Sequence, residues 1–192
     1  MAIWKIGPAL ATGNTIVLKP APTTPLTAVR LAEIAAEHLP PGVLNVVCGG
    51  DDAGRSLVSH RDVDMVSITG SVEAGKSVAK SAADSLKRVH LELGGKAPVV
   101  VFDDVDMETA LATIAEAGYY NAGQDCTAAT RVLASKRVYD DVVSGLSEQA
   151  HSFVMGDTMA PDTNLGPVNS KVQRERVEGF LERRPGHAEI VT

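Results

Sequence analysis

Apolar residues recur along this chain in two alternating rhythms, short β-branched runs and longer stretches with helical spacing. The runs Thr15 to Lys19, Leu44 to Cys48, Met65 to Thr69 and Arg88 to Leu93 read as strands, and the segments between them as amphipathic helices. Strands alternating with helices predict a parallel sheet, and the nearly continuous apolar character of each run predicts helices over both of its faces. Thr24-Pro25 reads as an N-cap and first-turn pair for a helix from Leu26 to His38, which Pro40-Pro41-Gly42 cannot continue. After Gly94-Gly95 the pattern restarts with a strand at Val99 to Phe102 and a helix from near Asp106 toward Tyr119. A polar, small-residue stretch from Asn121 to Thr130 reads as a loop. A strand at Arg131 to Ala134 and helices at Tyr139 to Phe153 and Lys171 to Leu181 complete the pattern. The expected fold class is α/β, with part of one domain over 1–95 and part of another over 96–192. Both ends read as interrupted: Ile3-Trp4-Lys5 has no turn or cap before it, and Glu189 to Thr192 reads as a strand just starting.

Composition narrows the function classes. With 44% hydrophobic and 22% charged residues in 192, the chain has the make-up of a soluble globular protein. A net charge of −6 offers no basic face for a phosphate backbone, so nucleic acid is not expected as a partner. No apolar run approaches the roughly 20 residues that span a bilayer, and no secretory leader is legible, which makes the cytoplasm the expected compartment and a membrane an unexpected partner. Cys48 and Cys126 are too few for a disulfide framework, so each is read as an individual thiol.

Cys126 lies in the polar loop, where small neighbours would let a substrate carbonyl approach the sulfur; the competing reading is a core cysteine behaving as a small hydrophobe. Cys48 ends an apolar run and is read as structural. Glu92 interrupts an apolar strand one residue before Leu93-Gly94-Gly95. It is either paired with a nearby lysine or emerges at the carboxyl edge of a parallel sheet, where ligand sites form and a general base can work. Gly70-Ser71-Val72-Glu73-Ala74-Gly75 opens a helix after a strand, and its N–H groups could meet a pyrophosphate, although glycine is common in such turns for steric reasons alone. Gly49-Gly50-Asp51-Asp52 is similarly placed but acidic, so it reads as a turn and cap. Lys19 ends a strand on the same kind of edge. Asp103-Asp104-Val105-Asp106 is explained by capping and the helix dipole rather than by a metal. His90 shares a strand face with Glu92 by the period of two and is read as packing.

Together these segments resemble the aldehyde dehydrogenase superfamily, in order along essentially the whole chain. The resemblance is carried by Trp4 to Leu10, Lys19-Pro20, Thr69-Gly70-Ser71, Leu91 to Lys96, Gly123-Gln124-Asp125-Cys126 and Leu165-Gly166-Pro167. It implies the second part of a Rossmann-like cofactor domain in 1–95 and the first part of a cysteine-bearing α/β catalytic domain in 96–192. It makes Cys126 the nucleophile and Glu92 the base, with Lys19 and Pro22 at the adenine ribose, Gly70, Ser71 and Gly75 near the pyrophosphate, and Leu93 near the nicotinamide. NAD is the implied cofactor. Many relatives have glutamate where this chain has Pro22, which leaves NADP open. Tyr119 to Ala129 with Lys96-Ala97-Pro98 is similar to the 4-aminobutanal dehydrogenases, and Asp125 would attract an ammonium-bearing aldehyde. Such enzymes are homo-oligomers more than twice this length, so the chain is expected to be a central fragment without efficient activity of its own. Two rival readings are a non-catalytic remnant and a cysteine hydrolase that pairs Cys126 with a histidine.

Overall fold

A computed structural model describes all 192 residues and divides them into two compact units, Met1–Leu93 and Gly94–Thr192. In the first, α1 (Ala2–Ala11) is followed by β1 (Ile16–Leu18), α2 (Leu26–Ala35), β2 (Leu44–Val46), α3 (Asp51–Ser59), β3 (Met65–Gly70), α4 (Val72–Ala83) and β4 (Arg88–Leu93). β1 pairs with β2 and β3 with β4, both in parallel. The second unit holds β5 (Pro98–Val101), α5 (Met107–Tyr119), a short 3₁₀ turn at Tyr120–Gly123, β6 (Arg131–Ala134), α6 (Tyr139–His151) and α7 (Lys171–Glu182). β5 and β6 are again parallel. The α/β fold class expected from the alternation is the one observed, although the strands join as three separate pairs rather than as one continuous sheet.

Local chemistry explains where the elements begin and end. Ser71 caps α4 by accepting the Ala74 N–H at 3.2 Å, and Ser170 caps α7 by accepting that of Gln173 at the same distance. Asp51 and Asp52 stand in the first turn of α3, where the helix dipole favours them, and both reach Arg55. Thr24 does not cap α2: Pro25 takes the N-cap place with helical φ −84° and ψ −25°, so the first turn is set by the proline ring and not by a side-chain oxygen. α1 runs through Gly7-Pro8, two residues that ordinarily interrupt a helix, with Ile6 buried on its inner side. Residues 189–192 form no strand.

In the second unit the core is Val101, Ile114 and Val142, flanked by Val99, Met107, Ala110, Val132, Ala134, Val138 and Leu146. One face each of β5 and β6 meets α5 and α6 there, and each fully buried branched side chain contributes about 1.5–3 kcal/mol. Buried side chains of the first unit are Ile6, Ala28, Val58 and Ala82. Gly75 of α4 lies so near Leu93 of β4 that an added Cβ would stand 2.6 Å from its Cδ atoms. That contact presses the helix against the end of the strand that carries Glu92.

Candidate functional site

Strand register positions the carboxylate. Thr69 opposes Glu92 and Gly70 opposes Leu93 in the β3–β4 ladder, so Glu92 emerges at the carboxyl edge of the pair, level with the turn that opens α4. The Glu92 carboxylate is half-exposed and accepts from His90 Nε2 at 3.1 Å. The His90 ring is therefore a polar partner of Glu92 and not the packing residue expected from its apolar strand. Behind it, Ser67 Oγ lies 3.0 Å from His90 Nδ1 and accepts from Lys5 Nζ at 2.9 Å. Partial burial pushes the Lys5 ammonium below its ordinary pKa, and the charge of Glu92 pulls it back up. Lys5 and Ser67 carry no signal of this role in sequence, because their contacts depend on the β3–β4 register and on α1 being a helix.

Along the same edge the exposed Ser71 caps α4, and the N–H groups of Val72 and Glu73 lie in the helix's first turn, where no carbonyl of the helix can reach them. Gly75 is buried against Leu93, so its missing side chain serves the packing of α4 on β4. Lys19 stands one residue past β1 with its ammonium already donating to Pro20 O at 2.9 Å and Gly49 O at 3.3 Å, which leaves one of its three hydrogens. Pro22 is exposed in the turn before α2. Cys48 lies beyond the end of β2 and is exposed, which corrects its expected place in the core: the last bond to β1 is from the Val47 N–H to Leu18 O at 3.0 Å, and Cys48 leaves the sheet after it.

In the second unit the thiol is positioned by backbone. α5 ends at Tyr119, and then Asn121, Ala122 and Gly123 all adopt left-handed φ, at 53°, 56° and 74°. Three such residues in succession turn the chain sharply before Gln124-Asp125-Cys126. Asn121 braces the turn by donating from Nδ2 to Gln124 O at 3.0 Å and by accepting the Gln124 N–H at 3.1 Å. Glycine permits the crowding on both sides, since a Cβ on Gly95 would come 3.2 Å from Cys126 O and one on Gly118 would come 3.3 Å from Ala129 O. Cys126 itself is half-buried, neither sealed in the core nor free in solvent.

Asp125 closes the loop on its other side. Its Oδ1 accepts from the N–H and from the hydroxyl of Thr127, both at 2.9 Å. The Thr127 N–H most of all, then its hydroxyl and in smaller part the Cys126 thiol, hold the Asp125 carboxyl below its ordinary 3.8. Asp125 also lines an open groove of about 400 Å³ with Thr113, Glu116, Ala117, Tyr120 and Thr127. A second hollow of about 420 Å³, on α6 beside Val191, contains none of the candidate residues. Asp103 pairs with Arg137 at 2.8 Å, and Asp106 begins α5 with its carboxylate accepting from the Thr109 hydroxyl at 2.8 Å.

Comparison with known proteins extends the resemblance to the whole chain. The aldehyde dehydrogenase family model matches residues 1–192. Betaine aldehyde dehydrogenase of Sinorhizobium fredii is 46% identical over 184 residues, which cover 95% of this chain and 38% of the relative. Among solved structures, gamma-glutamyl-gamma-aminobutyraldehyde dehydrogenase from Burkholderia cenocepacia superimposes with a TM-score of 0.91 at 45% identity, covering 95% of this chain and 38% of that one. Betaine aldehyde dehydrogenase from Staphylococcus aureus in complex with NAD+ gives 0.91 at 39% identity, covering 94% and 36%. The chain thus spans less than two-fifths of the length of these relatives.

Proposed function

The chain belongs to the aldehyde dehydrogenase family, and from that membership we propose that the protein it represents oxidises an aldehyde to the carboxylic acid, with Cys126 as nucleophile and Glu92 as general base. The observation that carries this reading is Cys126 itself, a half-buried thiol at the end of three left-handed residues, in a chain that matches the family over its full length. Such strain is retained where a reactive group must be held.

The chemistry follows from what these groups can do. The Cys126 thiolate adds to the aldehyde carbon to give a thiohemiacetal on its sulfur. Loss of hydride from that carbon leaves a thioester, more open to attack than the ester a serine would form. Glu92 then takes a proton from water as the oxygen attacks the thioester carbon; the C–S bond breaks, the acid departs and the thiolate is restored. The backbone N–H of Cys126 is a donor of the kind that supports the oxyanion.

NAD, when bound, supplies the acceptor for that hydride. What supports this cofactor is the donor set at the start of α4: the N–H groups of Val72 and Glu73 are unclaimed by the helix, Gly70 and Ser71 are exposed beside them, and Glu92 and Leu93 end the neighbouring strand. In this reading Gly70 and Ser71 approach the pyrophosphate, Gly75 lets α4 sit close to Leu93 near the nicotinamide, and Lys19 offers its remaining hydrogen to the adenine ribose beside Pro22. Pro22 brings no carboxylate to that ribose, so NADP is the outcome to test against NAD.

For the substrate we propose an aminoaldehyde of the 4-aminobutanal type. Asp125 stays ionised and keeps Oδ2 outside its turn with Thr127, and Glu116 adds a second carboxylate to the same groove. A small cationic aldehyde is the partner such a groove favours. No helix is long and apolar enough to cross a membrane; a cytoplasmic, homo-oligomeric enzyme is the setting proposed. The test is NADH formation by the whole protein from 4-aminobutanal and from butanal. Asp125→Asn is expected to raise KM for the amino substrate about tenfold and to leave butanal unchanged. Equal kinetics with both aldehydes before and after the substitution would overturn the substrate assignment.

A further inference from the structure

Four polar side chains of the first unit lie in one hydrogen-bonded file, of which the proposed chemistry has used only Glu92. Lys5 of α1 donates to Ser67 Oγ on β3 at 2.9 Å, Ser67 Oγ lies 3.0 Å from Nδ1 of His90 on β4, and His90 Nε2 lies 3.1 Å from Glu92 Oε1. Sheet geometry builds the file. Ser67 and His90 are direct partners in the β3–β4 ladder, and His90 and Glu92 share one face of β4 by the two-residue period.

The direction of each bond is set from the two ends. An ammonium has hydrogens and no lone pair, so Lys5 donates and Ser67 Oγ accepts. An ionised carboxylate has lone pairs and no hydrogen, so Glu92 accepts. Ser67 is left with its hydroxyl proton to give to Nδ1. A neutral imidazole whose Nδ1 accepts carries its own proton on Nε2, the nitrogen that faces Glu92.

We propose that His90 is a positioning residue for Glu92, its ring held in the Nε2–H tautomer by Ser67 and Lys5 so that it donates to Oε1 and leaves Oε2 for the attacking water. The proposal rests on the reading of Glu92 as general base. With side chains 53% and 45% exposed, the His90–Glu92 contact adds little to stability. What it fixes is the orientation of the carboxylate, so substitution of His90 is expected to leave the fold intact and to act on one half-reaction.

Nitrogen-15 NMR of the histidines in the whole protein, at about pH 8.5 where imidazoles are neutral, reads the tautomer directly, with His90 assigned from the signal lost in His90→Gln. The expected result is a His90 ring held almost wholly as Nε2–H, moving in Ser67→Ala and in Glu92→Gln toward the tautomer mixture of the exposed His187. A His90 ring that matches His187 and ignores both substitutions overturns the proposal. The second measurement uses 4-nitrophenyl acetate, which acylates a reactive thiol without a cofactor and separates the acylation burst from hydrolysis of the acyl-enzyme. His90→Phe is expected to slow hydrolysis about tenfold with the burst rate within about twofold, and His90→Gln, whose amide still donates, to recover most of the loss. Equal loss in both phases, or in neither, overturns it. The base assignment has its own arm: undiminished hydrolysis in Glu92→Gln removes that assignment, whereas loss in Glu92→Gln with unaltered His90→Phe kinetics removes the positioning role alone.

Discussion

The strand that carries Glu92 and the loop that carries Cys126 hold the proposed base and nucleophile by opposite means. Glu92 is placed by regular structure: a six-residue parallel ladder fixes its edge position, and a file of side chains anchored at Lys5 aims its carboxylate. Cys126 is placed by irregular structure, in which Asn121, Ala122 and Gly123 accept left-handed backbone and glycines at 95 and 118 let neighbouring segments close in. A base needs a defined direction and a choice of carboxylate oxygen, which a strand and its neighbours supply. The loop holds the thiol by backbone strain at a helix end, with Cys126 half-buried and not sealed in the core.

The comparison breaks most severely at the sulfur. Cys126→Ala is expected to remove acylation by aldehyde or by active ester, a loss of about 10³-fold or more in stopped-flow experiments. Cys48→Ser, which deletes the exposed thiol beyond β2, is expected to leave that rate in place. Next in size is Glu92→Gln. Hydrolysis of the acyl-enzyme falls about 10²-fold or more while acylation persists, because the amide keeps the shape and loses the basicity.

Smaller effects separate the two holding devices. Gly75→Val drives a branched side chain into Leu93, where even a Cβ stands at 2.6 Å, and is expected to destabilise the chain by about 1–3 kcal/mol in denaturant unfolding. Ala122→Gly acts in the other direction on the loop. It relieves a left-handed alanine at φ 56° and is expected to stabilise by about 1 kcal/mol, with slower acylation if the strain holds the thiol in place. The smallest effect is one of pH. The folded-state pKa of Asp125 lies below its ordinary 3.8, so the turn with Thr127 contributes stability above that value and loses it as pH falls through the lowered one. Asp125→Asn is expected to flatten that acid limb and to lower stability slightly at neutrality, where the charged carboxylate contributes, read from thermal unfolding as a function of pH.

Legibility in the sequence follows the same division. β4 and β6 fall at the expected residues because Arg88 to Leu93 and Arg131 to Ala134 have both the strand pattern and flanking breakers. No helix is expected over Ala2–Ala11, yet the backbone stays helical through Gly7-Pro8, with the Thr12 N–H reaching Pro8 O at 3.2 Å. The Cys126 loop is visible as a loop, but no residue type announces a left-handed Ala122. Ser67 and His90 were invisible as partners because a register between two strands is a tertiary fact. His90 and Glu92 differ by two residues on one strand, which placed them on a shared face before any contact was known.

The proposed function is tested most directly by trapping the acyl intermediate. The whole protein, unsubstituted and as Glu92→Gln, is mixed with 4-aminobutanal and NAD, quenched in acid, digested and examined by mass spectrometry. The account predicts a 4-aminobutanoyl adduct on the peptide that carries Cys126, scarce in the unsubstituted protein and abundant in Glu92→Gln. An adduct on Cys48, or one on Cys126 that turns over equally fast in both proteins, would contradict it.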